Sequence, residues 1–275
     1  MTILKKESRK ILRFQLENFL RIKQSKITKY LDDIFPKERR IRSLIGGLET
    51  SLGKTFWEPI SKTLAEINGF KIIREKILVP TPFPEVLQNE LEKLVSEREN
   101  KPNNRRVSTE ECIDRLTNAA AKTNPQDIAG YIYKSPPPGT GVDIHLSKDG
   151  IEYLFDIKTA QPNLADFQKF NKQMLQWYAY RLAKWYAYRL AKDPNAKLKA
   201  RIAIPFNPFS KSWYEKQKGK LSSSPLDIAQ DIWVENEFLD FCSGTENTFE
   251  QLKALFVELG QENFAAEFSD IFYQN

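Results

Sequence analysis

A single histidine, His145, in a chain of 275 residues removes whole classes of chemistry. Histidine-rich zinc sites, HD-type hydrolases, HNH-type nucleases and Ser-His-Asp hydrolases each need further histidines or companions that this chain does not supply. The only cysteines, Cys112 and Cys242, offer neither a disulfide framework nor metal-ligand spacing, which fits a reducing compartment. No Gly-rich phosphate loop of the P-loop type occurs, so nothing points to nucleotide-driven activity. No run approaches the roughly 18 apolar residues of a membrane span, and the start, MTILKKESRK, lacks the apolar stretch of a signal peptide. The expectation is a soluble cytoplasmic protein, 41% hydrophobic, with one good-sized core.

What the chain does have is charge, unevenly spread. Residues 1–42 hold 13 Lys/Arg against 5 Asp/Glu, residues 226–275 hold 1 against 11, and the total is +6. Both the basic start and the net-positive middle are therefore candidates to attract a phosphate backbone, whereas the acidic end is not.

The stretch VDIHLSKDGIEYLFDIK at 142–158 carries the strongest local signal. Two alternating apolar runs flank Asp149-Gly150, the signature of a β-hairpin closed by a type I′ turn. That turn pairs Lys148 with Ile151 and sets Asp143 opposite Asp156. Val142, Ile144 and Leu146 then share one face with Tyr153, Phe155 and Ile157, while Asp143, His145, Asp156 and Lys158 share the other. Opposed Cβ atoms in such a pair lie roughly 4.5 to 5.5 Å apart. Two carboxylates there call for a cation between them, and oxygen ligands suit Mg²⁺. Lys158, on the same face, is placed to orient or deprotonate an attacking water. His145 reads as an incidental surface histidine.

An Asp on one strand followed by an acid-x-Lys triplet on the next resembles the PD-(D/E)XK nuclease superfamily, the triplet here being Asp156, Ile157 and Lys158. Val142 stands where that motif has a proline. ETSLGKTFWEPISKTLA at 49–65, FDIKTAQPN at 155–163, RIAIPFNPF at 201–209 and FLDFCSGTENTFEQLKALFVELG at 238–260 extend the likeness. Together they are similar to a type II restriction endonuclease of the TdeIII-like group, from about residue 42 onward. The resemblance implies an α/β nuclease core, a central mixed sheet flanked by helices, with helical extensions at both ends. It also implies Mg²⁺-dependent cleavage of double-stranded DNA, a homodimer, and a cognate DNA methyltransferase as functional partner. Asp143, Asp156 and the Ile157 carbonyl would hold the metal, and Lys158 would serve the nucleophile. An upstream acid on a helix, Glu49 ahead of Glu66, would complete the site, and Gln173 would support it. A structure-specific repair nuclease and a catalytically silent DNA-binding protein are the alternatives.

Around this centre the periodicity predicts a helix over 3–31, a second after Pro36, and a strand over 69–79 before the irregular PTPFP. Helices are expected at 84–99 and 108–122, joined by the basic KPNNRR, in which Lys101, Arg105 and Arg106 are candidate DNA contacts. SPPPGTG must be extended. A long helix at 164–192 contains WYAYRLAK twice in immediate succession, at 177–184 and 185–192. Eight helical residues add about 12 Å and turn the downstream chain by roughly 80°, so one set of aromatics is expected to be poorly buried. RIAIPFNPF reads as a strand beside the hairpin, and Lys211, Lys216 and Lys218 in KSWYEKQKGK are further candidate DNA contacts. Two or three acidic helices are expected from 226 on. The chain reads as one nuclease domain: a basic helical part (1–68), a catalytic core (69–225) and an acidic helical part (226–275).

Overall fold

In a computed structural model of the chain, residues 3–22, 36–101, 105–123, 130–159, 162–188, 197–206 and 224–273 are described. The chain divides into two units, Met1–Asn68 with Glu235–Asn275, and Gly69–Val234.

In the second unit the hairpin forms in the register that the Asp-Gly turn dictates. Asp149 and Gly150 have φ of 52° and 76°, the left-handed pair that a type I′ turn requires. Strands β4 (Ile144–Lys148) and β5 (Ile151–Ile157) pair Ile144 with Phe155 and Lys148 with Ile151. The sheet has five strands in the order β1-β4-β5-β6-β7, with β1 at Lys71–Ile72, β6 at Lys197–Ile204 and β7 at Ile232–Val234. The β1/β4 and β4/β5 pairs are antiparallel, and β5/β6 and β6/β7 are parallel, so the sheet is mixed. A separate ribbon pairs β2 (Val79–Thr81) with β3 (Ile132–Lys134).

Helices α4 (Glu85–Asn100), α5 (Thr109–Ala121) and α6 (Leu164–Tyr188) bury their apolar stripes with one face of this sheet. Leu87, Leu91, Leu116, Phe167, Met174 and Trp177 meet Leu154, Leu198, Ala200, Ile202 and Ile204 in that core. Ser108 starts α5 by accepting the backbone N–H of Glu111 at 3.1 Å, a cap worth about 1 kcal/mol. Under the helices lies a fully buried ion pair, Arg98 Nη2 to Asp231 Oδ2 at 2.6 Å, with Thr109 donating to the other Asp231 oxygen. Removing either charge alone would strand its partner, at a cost of roughly 3 to 5 kcal/mol.

The first unit is helical throughout its described residues: α1 (Ile3–Ile22), α2 (Pro36–Leu52), α3 (Glu58–Ile67), α8 (Asn236–Ser243), α9 (Thr248–Gln261) and α10 (Ser269–Tyr273). A π-helical turn at Gly53–Trp57 joins α2 to α3. Helix α2 runs straight through Gly46-Gly47, because Leu44 on its buried side, at 1% exposure, outweighs the weak helix propensity of the pair. The basic start and acidic end, separate in sequence, pair with each other: Lys5 with Glu258, Arg9 with Glu258 and Glu262, and Arg13 with Glu267. Arg13 and Arg21 also lie over the rings of Phe264 and Phe268. Such exposed pairs stabilise little individually. Their consequence is electrostatic, and it corrects the reading of the first helix as a free phosphate-attracting arm. The first unit holds 16 Lys/Arg and 17 Asp/Glu; the unit with the hairpin holds 26 and 19.

Other expectations shift in detail. The strand over 69–79 is two short strands in different sheets, and Pro80 lies in β2 rather than in an irregular breaker. A proline is accommodated there because β2 has only one neighbour, leaving an edge with no N–H to satisfy. Residues 226–234 make a four-residue helix, α7 (Ile228–Asp231), and an edge strand instead of opening a run of acidic helices. The three-residue β7 pairs with β6, and periodicity does not register so short a strand. Helix α6 is described to Tyr188, and the remainder of the second octapeptide lies outside the described residues, as do 23–31 of the first predicted helix. No described helix is long and apolar enough to cross a membrane.

Candidate active site

Asp143 stands just ahead of β4, outside the paired register, its N–H donating at 3.0 Å to the carbonyl of Phe155, the residue that pairs with Ile144. Its Oδ2 accepts the N–H of Ile157 at 2.8 Å, which fixes the carboxylate toward β5. Asp156 is 4% exposed, and the Asp143 carboxyl lies near enough to act on it. Burial, then the neighbouring Asp143, push its pKa up to about 7, against the pull of Lys158. Lys158 Nζ lies 2.6 Å from Asp156 Oδ2 and 5.2 Å from the centroid of the Phe170 ring on α6. Oδ2 is buried and takes no aligned hydrogen bond despite that contact. The hairpin thus brings Asp143, Asp156, Ile157 and Lys158 near one another, although the strand pairing ends at Ile144 and Phe155 and the expected pairing of Asp143 with Asp156 is not part of the ladder.

This donor set fits a divalent cation. A buried carboxyl beside a half-buried one repels it when both ionise, and a cation between them relieves the repulsion. No group of three or more His, Cys, Asp or Glu gathers as a ligand set among the described residues. A third protein ligand would therefore be a backbone oxygen, for which the Ile157 carbonyl is the candidate. Glu49 is exposed on α2 of the helical unit, and Glu66 is exposed on α3. Gln173 is buried on α6, its Nε2 3.4 Å from the carbonyl of Gly141.

His145 is not a surface residue. It is 5% exposed, with Nε2 2.9 Å from Glu152 Oε2. Glu152, itself 4% exposed, is gripped in two-pronged fashion by Arg181 of α6, at 2.8 Å through Nε and 2.7 Å through Nη2. Burial alone would raise the Glu152 pKa, but His145 and Arg181 together bring it down to about 2. Helix α6 covers this part of the hairpin face, so His145 is buried rather than incidental at the surface, and the buried charges are paired. Strand alternation already placed Glu152 on that face, two steps of two from Asp156. The arginine within the apolar repeat was the other available signal, since a charge in a helix's buried stripe calls for a buried partner.

The first octapeptide is seated throughout. Trp177 Nε1 donates to the Thr140 carbonyl at 2.8 Å, and Tyr178 Oη accepts the Ala200 N–H at 2.6 Å. Tyr180 packs edge-on against Phe83, Lys184 pairs with Glu75, and Ala179, Leu182 and Ala183 are buried. The expected poorly buried aromatics are therefore not those of the first copy, and the side chains of the second lie outside the described residues.

The proposed DNA contacts fare unevenly. Lys101 ends α4 in a left-handed conformation (φ 45°), Arg105 pairs with Glu111 at 2.7 Å, and Arg106 donates to the Ser224 carbonyl at 3.3 Å. Lys211, Lys216 and Lys218 lie outside the described residues. Lys169 and Lys172, exposed on α6, flank the Phe170 that underlies Lys158.

No curated protein and no solved structure matches this chain. Its sequence does match one family, described as type II restriction endonuclease, HinfI, over residues 1–260. The match does not extend to the narrower TdeIII-like likeness. It spans both units and the whole hairpin, and the mixed sheet flanked by helices is consistent with a restriction-endonuclease fold. The chain therefore belongs to the HinfI family of type II restriction endonucleases, site-specific deoxyribonucleases that act on double-stranded DNA and generally use a divalent metal.

Proposed function

We propose that the protein hydrolyses phosphodiesters of double-stranded DNA at a specific sequence with Mg²⁺, using Asp143, Asp156 and the Ile157 carbonyl as metal ligands and Lys158 beside the nucleophile. The observation that carries this reading is the neighbouring carboxyls of Asp143 and Asp156, the latter buried and touched by the Lys158 ammonium. Bound there, the metal supplies a Lewis acid beside the scissile phosphate. The chain's own residues do the rest. Asp143, tied to the Ile157 N–H, presents its second oxygen in a fixed direction. Asp156 would have to give up its proton to serve as a ligand, so metal affinity should fall as pH is lowered. Lys158, steadied over Phe170, orients the attacking water and stabilises charge developing on the phosphoryl oxygens.

The net-positive unit carries this site, which supports approach of a polyanion to the catalytic hairpin. Lys169 and Lys172 are the nearest described cations on α6 to Phe170, and serve as contacts to the phosphates flanking the cut. A homodimer is the form expected for a two-fold symmetric site, and a methyltransferase of matching specificity protects host DNA. The test is digestion of a plasmid of known sequence with Mg²⁺ and with EDTA, followed by mapping of the ends. Discrete metal-dependent fragments sharing one end sequence support the proposal. Cleavage confined to branched or single-stranded DNA, or binding without cleavage under every divalent metal, overturns it.

A further inference from the structure

We infer that Trp177 and Arg181, both in the first WYAYRLAK copy, are positioning residues that hold the hairpin carboxylates in register. The inference rests on the metal-site reading above. One stripe of α6, spaced four residues apart, reaches along the whole hairpin: Gln173 to the Gly141 carbonyl at 3.4 Å, Trp177 to the Thr140 carbonyl at 2.8 Å, and Arg181 to both oxygens of Glu152. Residues i, i+4 and i+8 of a helix lie along one side of it, so these contacts come from one stripe of α6.

Asp143 is bracketed by that stripe. On its amino side the chain arrives through a proline- and glycine-rich segment, with Gly139 in a positive-φ conformation (77°) that leaves the approach to be fixed by other contacts. Trp177 and Gln173 fix it, through the carbonyls two and three residues ahead of Asp143. On its carboxy side, His145 stands two residues along the same strand face and is held by Glu152, which Arg181 clamps. The clamp is buried, so it is not exchanged for water. Partners of this kind around metal ligands typically account for roughly 10- to 100-fold in metal affinity or activity.

The experiment separates positioning from folding. Arg181→Met alone would leave a buried unpaired carboxylate, so Arg181→Met is combined with Glu152→Gln, while Trp177→Phe removes only the indole N–H. Thermal melts, affinity for the plasmid fragment in Ca²⁺, Mn²⁺ affinity by calorimetry, and kcat and KM are measured. Both variants are expected to melt cooperatively and bind DNA within about twofold of wild type, while Mn²⁺ affinity and kcat each fall at least tenfold and KM stays level. Folded variants with wild-type Mn²⁺ affinity and kcat overturn the inference. So does an Arg181→Met chain that works normally until Arg189→Met is added, since the second copy would then hold the seat. Should wild type bind Mn²⁺ yet cleave nothing, the nuclease proposal fails, and the calorimetry still decides on positioning.

Discussion

Replacing Asp156 by Asn should make the metal-free protein less sensitive to alkaline pH, in an amount that the structure sets. The carboxyl of Asp156 has its pKa raised from 3.8 to about 7, chiefly by burial and next by Asp143. Since the folded value lies above the unfolded one, the stabilisation from holding this proton is fully present below about pH 4 and disappears as pH rises through about 7. At about 1.4 kcal/mol per pH unit the whole effect is roughly 4 kcal/mol. Integrated from about pH 5 to about pH 8, wild type should lose roughly 2 to 3 kcal/mol that an Asn variant, carrying no proton to lose, retains. The assay is urea unfolding of both chains in EDTA across that range, read as the wild type minus variant difference. Adding Ca²⁺ at about pH 8 should restore wild type and leave the variant unchanged, because the variant lacks the carboxylate that the cation engages. Parallel pH profiles for the two chains would refute the reasoning, since Asp156 would then be neither desolvated nor opposed by Asp143.

Lys158→Met keeps the aliphatic stem over Phe170 but removes the ammonium. Metal should still bind by calorimetry while single-turnover cleavage falls by several orders of magnitude; a collapse of metal affinity would make the lysine structural. Lys169→Ala with Lys172→Ala should weaken DNA binding and lower the slope of log affinity against log salt by about 2, and an unchanged slope would take α6 off the DNA path. Deleting residues 177–184 or 185–192 gives one and the same chain, in which the remaining octapeptide inherits every contact of the seated copy. Its melting temperature should equal or exceed that of the parent, and a lower one would show that the second copy is packed as well. Cys242 is buried and its thiol is held protonated by burial, so it should resist a disulfide-exchange reagent until the protein unfolds.

The hairpin was legible in sequence because its determinants are local. A two-residue turn with both φ positive fixes the pairing from Lys148 and Ile151 to Ile144 and Phe155, and a period of two then assigns side chains to faces, whereas Asp143 lies just beyond the paired residues. The helices α4, α5 and α6 were legible for the same reason: each carries its own apolar stripe, and Ser108 its own cap. What alternation cannot say is whether a polar face meets water or another layer. Only tertiary packing decided that α6 covers the hairpin and that His145 and Glu152 are buried with Arg181 between layers. Likewise, the charge imbalance between the ends was plain in composition, but its cancellation through Lys5, Arg9 and Arg13 depends on contacts some 250 residues apart in sequence. Local dihedrals and side-chain periodicity are written residue by residue. The partner that desolvates a charge comes from elsewhere in the chain, and it determines whether that charge binds DNA, binds metal or holds the fold together.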